Sequence, residues 1–235
     1  MSWNRTAKRA AAPDETVPLP YADRAEAGRV LAARLAPMGV DGAVVLALPR
    51  GGVPVGFEVA RRQRSPQDVL VSRKIGFPPQ PELGVGAIAE GGEPVFDRGL
   101  LDRLGLTEDD MAATVRAERA ELDRRVAAYR GGRSLPDVAG RAVVVVDDGL
   151  ATGGTARAAV RAMRGRGPSR LVLAVPVGAE DTVRSLAGEV DDLVVPAAPW
   201  DFRAVGQWYR DFDQLTDDDV TGRLERAGNG GGEFG

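Results

Sequence analysis

The chain has no cysteine and no histidine among its 235 residues. Without cysteine there is no disulfide, thiol nucleophile or thiolate metal site. Without histidine, a Ser-His-Asp triad, imidazole proton transfer and His-ligated zinc are all excluded. Any bound metal must take oxygen ligands, which points to Mg²⁺ or a similar hard cation. An excess of either charge is missing too, since 31 Lys and Arg oppose 34 Asp and Glu for a net charge of −3. That balance offers nothing to nucleic acid or an anionic membrane. No apolar run is long enough to cross a bilayer, and residues 1–12 lack the apolar stretch of a secretory signal. The expectation is a cytoplasmic protein with neither nucleic acid nor membrane as its partner.

What is present suits one α/β domain over residues 21–222, between a flexible stretch at 1–20 and a glycine-rich, disordered tail at 223–235. Strands and helices alternate along it. Apolar strands are expected at 42–48, 68–72, 171–175 and 193–195. Helices are expected at 24–39, where Asp23 and Glu26 form a cap, and at 55–62, 100–130, 156–163 and 181–187. Within 100–130, Thr107 and Asp110 make a capping pair. Met111, Val115, Leu122, Val126 and Tyr129 form one apolar stripe, and the charges between them read as a solvated or partner-binding face. The alternation predicts a doubly wound, mostly parallel sheet flanked by helices.

The most informative stretch is 143–155. Val143, Val144, Val145 and Val146 read as a strand buried on both faces. Asp147 and Asp148 follow at its carboxyl end, where open α/β sheets place ligands. Ala151, Thr152, Gly153, Gly154 and Thr155 then form a small-residue turn into a helix, with amides, hydroxyls and a helix N-terminus suited to an anion. The turn lacks the Lys of a P-loop. Gly84-Val85-Gly86-Ala87-Ile88-Ala89 formally fits a dinucleotide pattern but follows prolines rather than a strand. A second strand–turn–helix, at 49–54, sets Arg50 beside Gly51 and Gly52, where backbone amides and a fixed cation can meet an anion.

The 143–155 stretch resembles the PRPP-binding signature of the type I phosphoribosyltransferases, and the resemblance spans about residues 21–220. It implies that Asp147 and Asp148 hold the ribose hydroxyls and, through those hydroxyls or water, Mg²⁺. It implies that Ala151 to Thr155 wrap the 5′-phosphate. The 49–54 segment resembles the family's pyrophosphate loop, often built on a non-proline cis peptide, with Arg50, Gly51 and Gly52 as its working residues.

Arg73 and Lys74, at the end of the 68–72 strand, read either as a solvated edge or, by the same resemblance, as pyrophosphate ligands. The segment 75–83 is too proline-rich for regular structure and resembles a mobile hood loop that returns as a strand at 82–90. Together with 197–215 it makes a small hood. Five aromatics, Trp200, Phe202, Trp208, Tyr209 and Phe212, crowd 200–212. They read as a satellite core, or as a platform on which Trp208 or Tyr209 stacks an acceptor, with Asp201 meeting its edge. Ala151 stands where 6-oxopurine enzymes of the family carry an Asp, which argues against such an acceptor. The implied activity is Mg²⁺-dependent transfer of 5-phosphoribosyl from PRPP to a nitrogen of a heterocycle by a homodimer, with Arg50, Lys74, Asp147 and Asp148 as the catalytic group. A PRPP-sensing regulator of the same fold is the alternative.

Overall fold

A computed structural model describes residues 9–10, 17 and 19–230, with side chains described to residue 226. The central sheet is wholly parallel. Its strands are β1 (Arg9–Ala10), β2 (Val44–Ala47), β3 (Gln67–Val69), β7 (Ala142–Val146), β8 (Arg170–Ala174) and β9 (Asp192–Val194), in the order β1-β9-β8-β7-β2-β3. A small antiparallel sheet, β4 (Ser72–Phe77), β5 (Gln80–Ala89) and β6 (Val95–Phe96), lies to one side. The doubly wound, mostly parallel fold with a small hood is as expected.

Side-chain alternation along β7 explains the layering. Val143 and Val145 share a core with Ala156, Val160 and Met163 of α5 (Gly154–Arg164) and Leu186 of α6 (Glu180–Leu186). Val144 and Val146 pack on the other face with Leu31 and Leu35 of α1 (Arg24–Leu35) and Val55 and Val59 of α2 (Gly52–Gln63). All four valines are fully buried. Each is worth roughly 1.5–3 kcal/mol relative to exposure, so this strand anchors both layers. A third core joins the hood sheet, through Ile75, Val85 and Ile88, to α3 (Arg98–Leu104), α4 (Ala112–Arg130) and α7 (Asp217–Gly230).

Two expectations need correction, and a third is sharpened. Segment 75–83 is not irregular: β4 runs through Phe77, Pro78-Pro79 make the turn, and β5 starts at Gln80. Pro81 is tolerated because the pairing shifts register between Ile75 and Phe77, where Gly76 lets the backbone of Pro81 come close. The Gly84–Ala89 pattern therefore lies within a hairpin strand. The helix expected over 100–130 is interrupted at Gly105, which takes φ +67°. The chain then re-enters through the Thr107–Asp110 cap and a 3₁₀ turn at Asp109–Met111, so the segment is mostly helix and the cap is found as expected. Finally, α7 carries regular backbone through Gly230, across the expected start of the tail. Most of the 1–20 segment lies outside the described residues.

One buried ion cluster ties hood to core. Arg130, with a side chain 1% exposed, donates Nε to Asp68 at 3.2 Å and both terminal nitrogens to Glu90. It also donates to the Val69 carbonyl at 2.7 Å. Removing the cation would leave two carboxylates without their partner. Arg130→Met is expected to lose about 3–5 kcal/mol in chemical denaturation, far more than any exposed ion pair of this chain.

Candidate active site

The topology decides where the site forms. From β2 the chain crosses through α2 to β3 on one side, and from β7 through α5 to β8 on the other. The connections from the adjacent strands β2 and β7 thus leave in opposite directions at their carboxyl ends, the crevice where open α/β sheets bind ligands. The loops leaving both strands meet there, starting with the Leu48 amide donating to the Val146 carbonyl at 2.8 Å.

The contact between these loops admits only glycine. A Cβ on Gly51 would collide with the Asp148 carboxylate, and one on Gly52 would lie 2.6 Å from the Val146 carbonyl oxygen. The Pro49–Arg50 peptide just before them is cis. Arg50 itself is partly exposed, and its nearest carboxylate is Asp217 at 3.9 Å.

The acid pair is strongly perturbed. Burial pushes the Asp147 carboxyl well up from its ordinary value, and the neighbouring Asp148 charge adds to that. Burial also raises Asp148, opposed by the Arg24 guanidinium, whose Nε donates to Asp148 Oδ2 at 2.9 Å. Asp147 Oδ1 accepts from the Asp148 amide at 2.9 Å, which sets the two side chains relative to each other.

The turn after them is preformed. Leu150 pairs with the 177–179 backbone through the Leu150 amide to Val177 O at 2.9 Å and the Ala179 amide to Leu150 O at 2.8 Å. Thr182 donates its hydroxyl to the Ala151 carbonyl at 2.5 Å. Gly153 sits at the N-cap of α5 with φ +72°, and a Cβ there would meet Thr182 and Leu186. Among the described residues no side chain caps that helix, so its first amides have no side-chain partner.

Comparison with known proteins shows which family the chain belongs to. The family model of the phosphoribosyl transferase domain matches residues 31–205. The chain belongs to that family. A Mycobacterium tuberculosis protein that carries a phosphoribosyl transferase name is 48% identical over 207 residues, covering 88% of this chain and 47% of that protein. The chain therefore spans about half the length of the curated relatives it matches. The crystal structure of TT1426 from Thermus thermophilus is 41% identical, with a TM-score of 0.76 over 88% of this chain and 99% of that one.

In this phosphoribosyl transferase domain, Lys74 and the 151–155 turn share a cleft of about 570 Å³, walled by Lys74, Gly84 and Phe96 of the hood and by Thr152, Gly154 and Thr155. The Asp147–Asp148 pair is not part of that wall. Lys74 lies along the hood hairpin, with Nζ donating to the Glu82 carbonyl at 2.9 Å. Arg73 donates Nε to Glu118 of α4 at 2.8 Å, an ion pair that holds the helix against the hood and takes Glu118 out of the solvated face.

The aromatic segment is a satellite core. Tyr209 is 5% exposed, its ring packs on Tyr21 and Phe212, and its hydroxyl donates to the Asp148 carbonyl at 2.6 Å. That corrects the stacking role expected of Tyr209, because a buried ring offers no face to a heterocycle. Trp208 packs on Phe202 with ring centroids 6.3 Å apart. The ring left uncovered is Trp200, 91% exposed. Two contributors carried no sequence signal. Arg24 is 124 positions from the carboxylate it binds, and Thr182 sits in an ordinary helical turn.

Proposed function

We propose that the protein transfers the 5-phosphoribosyl group of PRPP to a nitrogen of a nucleobase or similar heterocycle and releases pyrophosphate. The glycine-only contact between the 49–52 loop and the acid pair carries this reading. It brings the loop that carries Arg50 against the two carboxylates, from which the chain continues directly into the 151–155 turn. In this assignment Asp147 and Asp148 accept the ribose hydroxyls, residues 151–155 take the 5′-phosphate, and Arg50, Gly51, Gly52 and Lys74 take the pyrophosphate.

The bond from the anomeric carbon to the pyrophosphate oxygen breaks, and its electron pair leaves with the pyrophosphate. A carbon–nitrogen bond forms at the same carbon, and the proton lost by the acceptor nitrogen passes to water. Positive charge grows on the ribose and negative charge on the leaving group, so positioning and charge stabilisation suffice without a covalent nucleophile. Arg50 and Lys74 meet the growing negative charge, while the half-buried acid pair orients the sugar.

The donor set fits Mg²⁺. Among the described residues no three acidic side chains form a metal cage, but Mg²⁺ is ordinarily held by one or two carboxylates together with phosphate oxygens and water. Asp147 and Asp148 would hold it indirectly, and when bound it would neutralise pyrophosphate charge. A cytoplasmic homodimer belongs to the same proposal. Among the described residues no helix is long and apolar enough to cross a membrane.

A PRPP-sensing protein without transfer is the second reading, favoured by the internal partners that already occupy Asp148 and Arg50. Incubation with PRPP, Mg²⁺ and a panel of purines, pyrimidines and aromatic amines separates the two. Acceptor-dependent release of pyrophosphate is the expected result. Tight PRPP binding with no turnover on any acceptor would establish the sensor instead.

A further inference from the structure

Arg24 stands at the first position of α1, just after the Asp23 cap. A cation there opposes the helix dipole, so its own helix gives no reason for it. Its partners lie elsewhere. Nε donates to Asp148 Oδ2 at 2.9 Å, and one terminal nitrogen donates to the Asp213 carbonyl at 3.1 Å. The guanidinium carbon lies 3.8 Å from the Phe212 ring centroid and 6.0 Å from that of Tyr209. The Arg24 and Asp148 side chains are only 11% and 14% exposed, which separates this pair from the exposed ion pairs on the surface.

The same aromatic segment grips Asp148 from its other end, through the Tyr209 hydroxyl on its backbone carbonyl. The segment is itself laced to the stretch before α1. The Tyr21 amide donates to Trp208 O at 2.9 Å, the Arg210 amide to Tyr21 O at 2.8 Å, and the Asp211 amide to Ala22 O at 2.9 Å. Arg24, Phe212 and Tyr209 thus form one buttress behind a single carboxylate. A planar guanidinium stacked on a ring and bonded at two edges has little freedom left, so the oxygen it binds is fixed in space.

We infer that Arg24 is a positioning residue for the proposed transfer, holding Asp148 through Oδ2 so that Oδ1 is presented to a ribose hydroxyl. This rests on the reading of Asp148 as a sugar ligand. It also gives the aromatic segment a role other than binding the acceptor, since the segment supports the donor side of the site.

The test is a double-mutant cycle on PRPP binding, measured by calorimetry with Mg²⁺ for wild type, Arg24→Gln, Asp148→Asn and the double variant. Losing a charged hydrogen bond predicts PRPP binding weaker by roughly 10- to 100-fold in Arg24→Gln. In the Asp148→Asn background the same change should cost less than about two-fold, because the group being positioned is gone. Arg24→Lys keeps the charge without the fork, and should fall between wild type and Arg24→Gln. It also serves as the folded variant if Arg24→Gln does not fold. Steady-state kinetics should show the loss in the KM for PRPP, with the KM for the acceptor changed little. An Arg24 effect of equal size in both backgrounds, or PRPP binding by Arg24→Gln and Arg24→Lys equal to wild type, would overturn the positioning role alone. A wild-type protein that binds no PRPP would overturn the donor reading and this role with it.

Discussion

Asp147→Asn is expected to lose turnover on the order of 10²-fold while raising the melting temperature of the protein. The two effects share one cause. Folding buries the Asp147 carboxyl beside a second acid, which raises its affinity for a proton above that in the unfolded chain. Between the unfolded value, near 4, and the raised folded value, the native state binds the extra proton. Stability therefore falls as pH rises through that window, and the whole penalty is present above the folded value. Asn keeps the oxygen that accepts the Asp148 amide and carries no charge to bury. Each kcal/mol recovered is worth about 2–4 °C in a chain of this size. Melts from pH 4 to pH 8 should show the variant gaining most at the alkaline end and nothing near pH 4. A variant less stable than wild type at pH 8 would contradict the buried-charge account.

The second large effect is expected of Gly51→Ala. One methyl group placed on the Asp148 carboxylate forces the 49–52 loop away from the acid pair. Displacement of reacting groups by about 1 Å can cost 10²-fold, so kcat/KM should fall on that order. Overpacking costs roughly 1–3 kcal/mol, so the variant should remain folded. Gly222→Ala in α7 is the control, since nothing lies within 4 Å of the added methyl. It should be neutral or stabilising by roughly 0.5–1 kcal/mol, with activity unchanged. Parallel kinetics and denaturation of the two variants separate loop geometry from a general intolerance of substitution.

The sequence discloses those parts of the protein whose causes are local. Val143 to Thr155 is legible because strand, acid pair and small-residue turn are contiguous and each demands its own residue types. The 49–54 loop is legible for the same reason. Signals carried by pairing across space are lost. Arg73 looks like a free cation at a strand end, and its partner Glu118 lies 45 residues later on a helix whose packing against the hood leaves no local signal. The hood hairpin hides behind its prolines, because the register shift that tolerates Pro81 is a property of two strands together. Tyr209 stands in an aromatic-rich run that suits a stacking platform and a satellite core equally well. Only the backbone pairing with Tyr21 and Ala22 decides for the core.

That pairing bears on how lesions in the protein are interpreted. Residues 208–211 are stitched to 21–22, Phe212 carries Arg24, and Arg24 carries Asp148. A truncation or substitution within 208–212 will therefore travel to the Asp148 end of the crevice. Lost activity in such a variant is no proof that the stretch touches the incoming base, and a defect in donor affinity is the first thing to measure.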